Sequence, residues 1–418
     1  MAVRLFALKP ECFPKLTGWA TLSWRTCIYE RVREAAKKQA RVYAVDLRSD
    51  VLTKPTPAMR QAIMDATMDD DVFGEDATVN TLQQNVADMF NKESALFVPS
   101  GTMANLIAVL SHCNTRGLEV LLGHQSHQMI YEQGGLATLG GVHPRTMFNL
   151  PDGTFDLDHI ESNIRPENDS HQPVTGLICV EDTHNVCGGV VLPLDFLTKL
   201  RKIADDHKLP VHMDGARLMN ASAALDIEPK KIVESIDSVS LGFSKGLGAP
   251  VGSIIAGSGD FIRRAVRLRK ALVGGMRQPG LLAAAAMVSL DDMIPRLKTD
   301  HNHTRMIAEA IMKASHGLVH VDLNRVQTNI VLIEMLKGFS AQFFLNRLEE
   351  VTEQEEKDIG ESISVGGHPS THWVARLVVH SSVAAKDVEA AIKKITYVLE
   401  EMSHMDPEKT YVHNSRLM

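Results

Sequence analysis

The sequence predicts an α/β protein with a mainly parallel sheet flanked by helices, because short apolar runs alternate with segments of helical spacing. Each run is bounded by Gly, Pro or Asp, which is typical of buried parallel strands. Between two of them, apolar residues in 194–204 recur at the three- and four-residue spacing of a helix. The predicted strands are Ala95–Val98, Glu119–Leu122, Gly176–Glu181, Leu209–Asp214, Ser238–Gly242 and Gly252–Gly257. In such sheets, ligands bind at the carboxyl ends of the strands.

A change of pattern near Asp300 predicts a second, smaller domain. From His301 onward the chain is expected to form helix, strand, helix, strand and helix, as in an α+β domain. The acidic run Glu349–Glu361 within it is expected to be a solvated surface segment. The predicted organisation is a basic extension (1–44), a large domain (45–299), a small C-terminal domain (300–404) and a tail (405–418).

Composition excludes several classes of protein. The 418 residues are 44% apolar, enough for one large core and a smaller one. A net charge of -7 does not favour nucleic acid as a partner, and no apolar run is long enough to span a bilayer. The five cysteines are an odd number without CxxC spacing, so we expect reduced thiols and no metal site.

Residues 1–44 differ from the rest in charge, with nine Lys or Arg against three acids. A basic, acid-poor segment is typical of an organellar transit peptide, but serine is scarce here. Two interpretations stay open: a mitochondrial address, or a partly helical tail on a cytoplasmic protein.

The strongest chemical signal is a lysine with an aspartate upstream. Lys245, in Ser244-Lys245-Gly246, follows a predicted strand, and Asp214 ends another. A lysine among small residues suits a Schiff base with pyridoxal 5'-phosphate, and a carboxylate can keep the pyridine nitrogen of that cofactor protonated. The alternative is a solvated loop lysine and an ordinary turn aspartate.

A phosphate site is predicted where a strand turns into a helix at Ser100-Gly101-Thr102. The first N–H groups of a helix have no intrahelical partner, and the helix dipole favours an anion there. The alternative is an ordinary helix cap by Ser100 or Thr102. The GxxxxGK[ST] pattern of nucleotide-triphosphate binding is absent.

Five segments of the chain form a pattern when they are taken together. They are Asp46-Leu47-Arg48-Ser49-Asp50, Asp70-Asp71-Val72-Phe73-Gly74-Glu75-Asp76, Glu181-Asp182-Thr183-His184-Asn185, His212-Met213-Asp214-Gly215-Ala216-Arg217 and Ser244-Lys245-Gly246-Leu247-Gly248-Ala249-Pro250-Val251-Gly252. Each motif alone is weak, but they occur together and in order. Together they resemble one family, the L-threonine aldolases of low specificity, which are fold-type I pyridoxal-phosphate enzymes. The resemblance runs from about Asp46 to about Met402.

The resemblance implies a role for residues around the cofactor. Lys245 would hold pyridoxal phosphate covalently, and Asp214 would pair with its ring nitrogen. Gly101 and Thr102 would bind its phosphate. His127 would stack on the pyridine face, close to the substrate.

The resemblance also implies which residues bind the substrate. Ser49, Arg217 and Arg376 match groups that hold a cofactor oxygen and the substrate carboxylate. A planar guanidinium suits a bidentate carboxylate. Arg376 stands between apolar residues on a predicted strand, where a buried charge requires a partner.

Three further matches have simpler alternatives. His171 matches a histidine near the substrate hydroxyl, but its polar surroundings also fit a surface loop. Lys270 and Arg277 match basic residues near the phosphate, partly across a subunit interface, but also fit the end of a basic helix. Two positions depart from the family pattern, which commonly has tyrosine at Phe73 and asparagine at Asp182.

The expected activity is cleavage of L-threonine or L-allo-threonine to glycine and acetaldehyde by a homo-oligomer, a dimer or a tetramer. His127, His171 or an ordered water could be the base that accepts the hydroxyl proton. Two alternatives stay open. The chain could be another fold-type I enzyme, an aminotransferase or a β-eliminating lyase, or a non-catalytic scaffold of the same fold.

Overall fold

The structure is a computed structural model that describes residues 42–407, and the statements below concern that part of the chain. Its strands, numbered in chain order, alternate with helices along most of the chain. They are β1 Tyr43–Asp46, β2 Ser94–Val98, β3 Leu118–Gly123, β4 His143–Met147, β5 Val174–Glu181, β6 Val211–Gly215, β7 Ser238–Gly242, β8 Ser253–Gly257, β9 Val319–His320, β10 Ile330–Met335, β11 Ile363–Gly366, β12 His368–Pro369 and β13 Val374–Val378.

Seven of these strands form the central sheet, in the order β2-β8-β7-β6-β5-β3-β4. β8 is antiparallel to its neighbours β2 and β7, and the other neighbouring pairs are parallel. The predicted α/β class with a mainly parallel sheet is therefore confirmed. Because β6 lies between β5 and β7, the carboxyl ends of these three strands meet at one edge of the sheet.

Helices pack around the sheet through apolar faces. In Leu194–Asp206 the buried residues Phe196, Leu197, Leu200 and Ala204 follow the helical spacing seen in the sequence. The helices of seven residues or more are Pro57–Asp65, Ala77–Phe90, Gly101–His112, Leu157–Asn163, Leu194–Asp206, Leu218–Leu225, Gly259–Ala271, Gly280–Asp292, Leu297–Lys313, Ala341–Glu349, Glu353–Ile359 and Ala385–Ser403. Shorter helical turns are His127–Ile130, Gly135–Thr138, Pro229–Ile232, Asp50–Leu52 and Leu323–Arg325.

The C-terminal part forms a second core around an antiparallel sheet of order β12-β13-β10-β9. β1 pairs in parallel with β11, and Val45 and Leu47 are buried in this second core. The described chain therefore begins by packing on its own C-terminal part. The proposed division into 1–44, 45–299, 300–404 and 405–418 stays a prediction, and most of the extension and the tail lies outside the described residues.

Helix Leu297–Lys313 joins the two cores, because Leu297 packs in the first and Ile307 and Ile311 in the second. None of the helices in the described part is both long enough and apolar enough to cross a bilayer. The acidic run 349–361 is only partly a solvated segment. It contains a short helix whose Glu355 is fully buried against Arg347 and Lys394.

Candidate active site

Asp214 and Lys245 lie at the carboxyl edge of the central sheet. Asp214 is in β6, in register with Glu181 of β5 and Ser240 of β7. Lys245 follows shortly after β7, and Thr53 donates a hydrogen bond to its carbonyl oxygen over 2.9 Å. The structure therefore brings the predicted amine and carboxylate together at one edge of the sheet.

Asp214 is buried but well supplied with hydrogen bonds. Its Oδ1 accepts the backbone N–H of Ala216 at 3.0 Å, and its Oδ2 accepts Nδ2 of Asn105 at 2.7 Å. Burial alone would raise the pKa of Asp214, but the charges of Lys245 and His127 and these hydrogen bonds outweigh it and lower the pKa. The carboxylate is therefore ionised and held in a fixed orientation.

Lys245 lines a cavity of about 240 Å³ with four other predicted site residues, Ser49, His127, Arg217 and Arg376. Burial, then the charge of Arg217, lowers the pKa of the Lys245 amine below its ordinary value. A larger fraction of the amine is therefore neutral and able to act as a nucleophile. A second cavity, of about 390 Å³, lies beside Cys187 and contains none of the predicted residues.

His127 is held on two sides. Its backbone N–H donates to Glu181 at 2.7 Å, and its Nδ1 lies 2.7 Å from Oε1 of Glu132. Burial would lower the pKa of His127, but the hydrogen bond with Glu132 and the charge of Asp214 outweigh it and raise the pKa. The imidazole therefore has a fixed position at the wall of the cavity.

The two predicted arginines have different partners. Arg217 binds Asp50 through Nε and Nη2, both at 2.7 Å, and donates from Nη1 to Asn185 at 3.1 Å. Arg376 donates to the same Asn185 oxygen at 3.0 Å and to the carbonyl of Arg48 at 3.5 Å, and its buried Nε has no partner. Asp50 therefore occupies one edge of Arg217, whereas Arg376 has no carboxylate partner among the described residues and keeps one donor, Nε, unpaired.

Two helix N-termini position three of the predicted residues, Ser49, Gly101 and Thr102. The Ser49 hydroxyl caps the turn Asp50–Leu52 by accepting the N–H of Val51 at 3.4 Å. Gly101 and Thr102 begin the helix Gly101–His112, whose cap is Ser100. They lie about one helical turn before Asn105, the residue that contacts Asp214.

The remaining predicted residues do not line the cavity with Lys245. His171 is 92% exposed and lies 3.3 Å from Asp169 in a surface loop. Arg277 pairs at 2.9 Å with Asp70, and Lys270 lines a surface groove. In this single chain the three residues stand apart from the cavity, and their roles stay predictions.

Sequence reasoning missed four residues of this network, Asp50, Asn105, Glu132 and Asn185. Asp50 and Asn185 stand inside the quoted D-L-R-S-D and E-D-T-H-N motifs, so their positions were visible but their partners were not. Asn105 lies three residues beyond the predicted phosphate segment Ser100-Gly101-Thr102. Nothing in the sequence marked Glu132, whose carboxylate becomes significant only because the fold buries it beside His127.

A family model described as beta-eliminating lyase matches residues 46–336. A probable low-specificity L-threonine aldolase 2 of Arabidopsis thaliana is 46% identical over 351 residues, which are 83% of this chain and 95% of that protein. The chain belongs to the L-threonine aldolase family. A low-specificity L-threonine aldolase of Escherichia coli K12, also of this aldolase family, is 43% identical over 67% of this chain and 83% of its own.

Solved structures share the fold of this aldolase family member at lower identity. A putative L-allo-threonine aldolase of Listeria monocytogenes has a TM-score of 0.69 at 21% identity, covering 86% of this chain and 97% of its own. A structure described as SPT with a PLP internal aldimine has a TM-score of 0.64 at 17% identity, covering 86% and 88%. These structures support the fold-type I architecture.

Proposed function

We propose that this chain is a pyridoxal-phosphate-dependent aldolase that cleaves L-threonine and L-allo-threonine to glycine and acetaldehyde. One observation carries the proposal: Lys245, His127 and Arg376, whose guanidinium has no carboxylate partner in the described part of the chain, line one cavity beside the carboxylate of Asp214. Relatives named for this activity, at 43 to 46% identity, support it.

The residues at this edge of the sheet fit pyridoxal phosphate. No described residue accepts a hydrogen bond from the Lys245 amine, which leaves it available to a carbonyl carbon. Asp214 would pair with the pyridine nitrogen, and the free N–H groups at Gly101 and Thr102 would hold the phosphate. When bound, the cofactor supplies an electron sink for the carbanion left on the substrate Cα.

The chain's own residues would orient the substrate and handle its proton. Arg376 would bind the α-carboxylate, and Asn185 holds that guanidinium in place by accepting a hydrogen bond from it. Cleavage of the Cα–Cβ bond requires a base for the β-hydroxyl proton. Because His127 lines the cavity and His171 does not, the single-chain geometry favours His127, directly or through a water.

We propose a homo-oligomer, a dimer or a tetramer, for this enzyme. Two large apolar side chains are exposed, Val273 at 91% and Phe73 at 76%. Val273 lies close in sequence to Arg277, and Phe73 to Asp70, and these two charged residues form an ion pair with each other. Large apolar side chains exposed in this way favour a covered surface. In such an assembly Lys270 and Arg277 would approach the phosphate site of a neighbouring subunit. Light scattering after size exclusion measures the state directly.

The decisive experiment is product analysis with L-threonine, L-allo-threonine and L-serine. The purified enzyme should release equal amounts of acetaldehyde and glycine from the first two without any keto-acid acceptor. Lys245→Ala, as the matched control, should release neither. Turnover only with a keto acid would identify an aminotransferase, and pyruvate from L-serine a β-eliminating lyase. Protein without cofactor absorbance would support the scaffold alternative.

A further inference from the structure

Four buried or half-buried side chains form one continuous chain of hydrogen bonds beneath the cavity. His127 Nδ1 contacts Glu132 Oε1 at 2.7 Å, Asn105 Nδ2 contacts the same oxygen at 2.9 Å, and Asn105 Nδ2 also contacts Asp214 Oδ2 at 2.7 Å. Glu132, Asn105 and Asp214 are buried, with exposures of 5%, 2% and 4%. The imidazole at the cavity wall is thus connected to the carboxylate predicted to face the cofactor ring.

The orientation of Asn105 follows from its neighbours. Its amide nitrogen has two N–H groups, and the structure directs them to the two carboxylates. Its carbonyl oxygen accepts the hydroxyl of Ser240 at 3.2 Å. A reversed amide would direct its oxygen at two carboxylates, so only this orientation satisfies all three contacts.

The hydrogen bond with Glu132 also fixes the tautomer of His127. Because Glu132 Oε1 is an acceptor, Nδ1 of the imidazole carries a hydrogen. Nε2, on the opposite edge of the ring, has no partner among the described residues. The other groups facing this imidazole are Asp214, Lys245 and the ring of Tyr131, whose centroid lies 5.5 Å away.

We propose that Glu132 and Asn105 are positioning residues for the cleavage reaction. Glu132 holds Nδ1–H of His127 so that the Nε2 lone pair faces the substrate hydroxyl, and Asn105 ties Glu132 to Asp214. This inference rests on the proposed function. In the step it supports, the hydroxyl O–H bond breaks and its proton passes to Nε2. The O–H electron pair forms the aldehyde carbonyl, while the Cα–Cβ pair stays on Cα.

A cation is the competing explanation for this cluster, since ligand atoms of His127, Glu132 and Asp214 lie within 4.8 Å of one another. However, the Asn105 amide already points two N–H donors at the two carboxylates. Donors and a cation compete for the same lone pairs. The arrangement therefore suits a hydrogen-bonded relay. Loss of activity in chelator that zinc or magnesium restores would overturn it.

The first test follows the protonation of His127 without using activity. The His127 side chain is 29% exposed, so diethyl pyrocarbonate can reach it, and the reagent modifies only the neutral imidazole. In the holoenzyme, peptide mass spectrometry gives the pH of half-maximal modification. Glu132→Gln should lower that pH by about one unit, because it removes the negative charge that favours the imidazolium. The acidic limb of kcat/KM should move by the same amount.

Glu119→Gln is the matched control. Glu119 is a fully buried carboxylate on the same sheet, bonded to Arg145 and Thr175 and absent from the cavity. Its replacement should lower the melting temperature but leave the His127 modification profile unchanged. An unchanged profile in folded Glu132→Gln would overturn the inference. Wild-type enzyme that releases no acetaldehyde would instead overturn the proposed function, whatever the modification profile shows.

The second test measures the link through Asn105. The serine in Asn105→Ser is too short to span both carboxylates, so Glu132 loses its link to Asp214 and kcat should fall. If the four hydrogen-bonded side chains act as a unit, the double variant Asn105→Ser with Glu132→Gln should reduce kcat by less than the product of the two separate effects. Multiplicative effects in the folded double variant would show that the two residues act independently.

Discussion

Asp50 binds Arg217 through two parallel hydrogen bonds of 2.7 Å, and both side chains are buried. Asn329 donates a third hydrogen bond to Asp50 at 3.1 Å. Burial would raise the pKa of Asp50, but the charge of Arg217 and its hydrogen bonds outweigh this effect and hold the pKa far below its ordinary value. The guanidinium of Arg217 is therefore fixed before any substrate arrives.

Asp50→Asn should destabilise the protein strongly, because it leaves the charge of Arg217 buried without compensation. Breaking a buried pair by removing one partner typically costs about 3–5 kcal/mol. Urea unfolding at pH 7 measures the loss. The matched control is Asp226→Asn, which breaks the exposed pair with Lys298 and should leave the unfolding midpoint nearly unchanged. Equal effects of both variants would contradict the role given to Asp50.

Arg376→Ala should raise KM for L-threonine about ten- to a hundredfold, the usual effect of losing a charged hydrogen bond. The cofactor spectrum should stay nearly unchanged, because Arg376 is proposed to bind the substrate carboxylate rather than the cofactor ring. Arg376→Lys keeps the charge but not the planar fork, so it should recover only part of the affinity. A folded Arg376→Ala enzyme with normal KM would rule out the carboxylate grip.

Asp214→Asn should give a coloured but inactive enzyme. The amide keeps the shape of the side chain but removes the charge that favours a protonated ring nitrogen, so the cofactor binds while carbanion formation fails. Absorbance in the visible range and acetaldehyde release together measure the outcome. Turnover close to that of wild type would mean that Asp214 has only a structural role.

Asp182 should make the protein less stable as pH rises. Burial raises the pKa of this carboxyl to about 8, and its Oδ2 has no partner. Between the unfolded pKa, near 4, and the folded pKa, only the folded state keeps the proton. The free energy of unfolding therefore falls with pH, by up to about 1.4 kcal/mol per unit.

Asp182→Asn removes this titration and restores the residue usual in the family motif. The difference in melting temperature between variant and wild type should therefore be small at pH 5 and grow in favour of the variant towards pH 8. Because all other groups are common to both proteins, the comparison isolates Asp182. A difference that stays constant with pH would show that the buried carboxyl is not protonated.

The sequence predicted the central sheet well, because its strands are buried on both faces and read as continuous apolar runs. Strand β4 was missed, since His143–Met147 at the edge of the sheet is largely polar. The acidic pattern wrongly predicts a solvated position for the buried Glu355, because its partners Arg347 and Lys394 come from other helices. Local pattern carries no information about such distant partners.

The same limit applies to the candidate site. Motifs located Lys245 and Asp214 because the chemistry of each depends on its own strand end. They did not reveal the pairing of Asp50 with Arg217, which are far apart in the chain and meet only through the fold. They also did not show that Arg376, unlike Arg217, has no carboxylate partner in the part that the structure describes and keeps an unpaired Nε.

Truncations at the start of the chain test which residues the fold requires. A chain beginning at Val42 keeps β1, which pairs with β11 from Tyr43 to Asp46, so it should fold and cleave L-threonine at close to the full-length rate. A chain beginning at Arg48 loses β1 and the buried Val45 and Leu47, each worth about 1.5–3 kcal/mol.

The shorter chain should therefore melt at a clearly lower temperature, whereas the chain from Val42 should match full-length protein. Thermal unfolding of all three proteins, with acetaldehyde release measured on each, separates lost stability from lost chemistry. The longer truncation also removes Asp46, whose carbonyl oxygen lies 3.0 Å from His380 Nε2, so β1 is tied to the second core by more than its apolar side chains. If the chain from Val42 fails to fold, then residues before it contribute contacts that the fold requires. If the chain from Arg48 is as stable as full-length protein, the pairing of β1 with β11 contributes nothing to the second core.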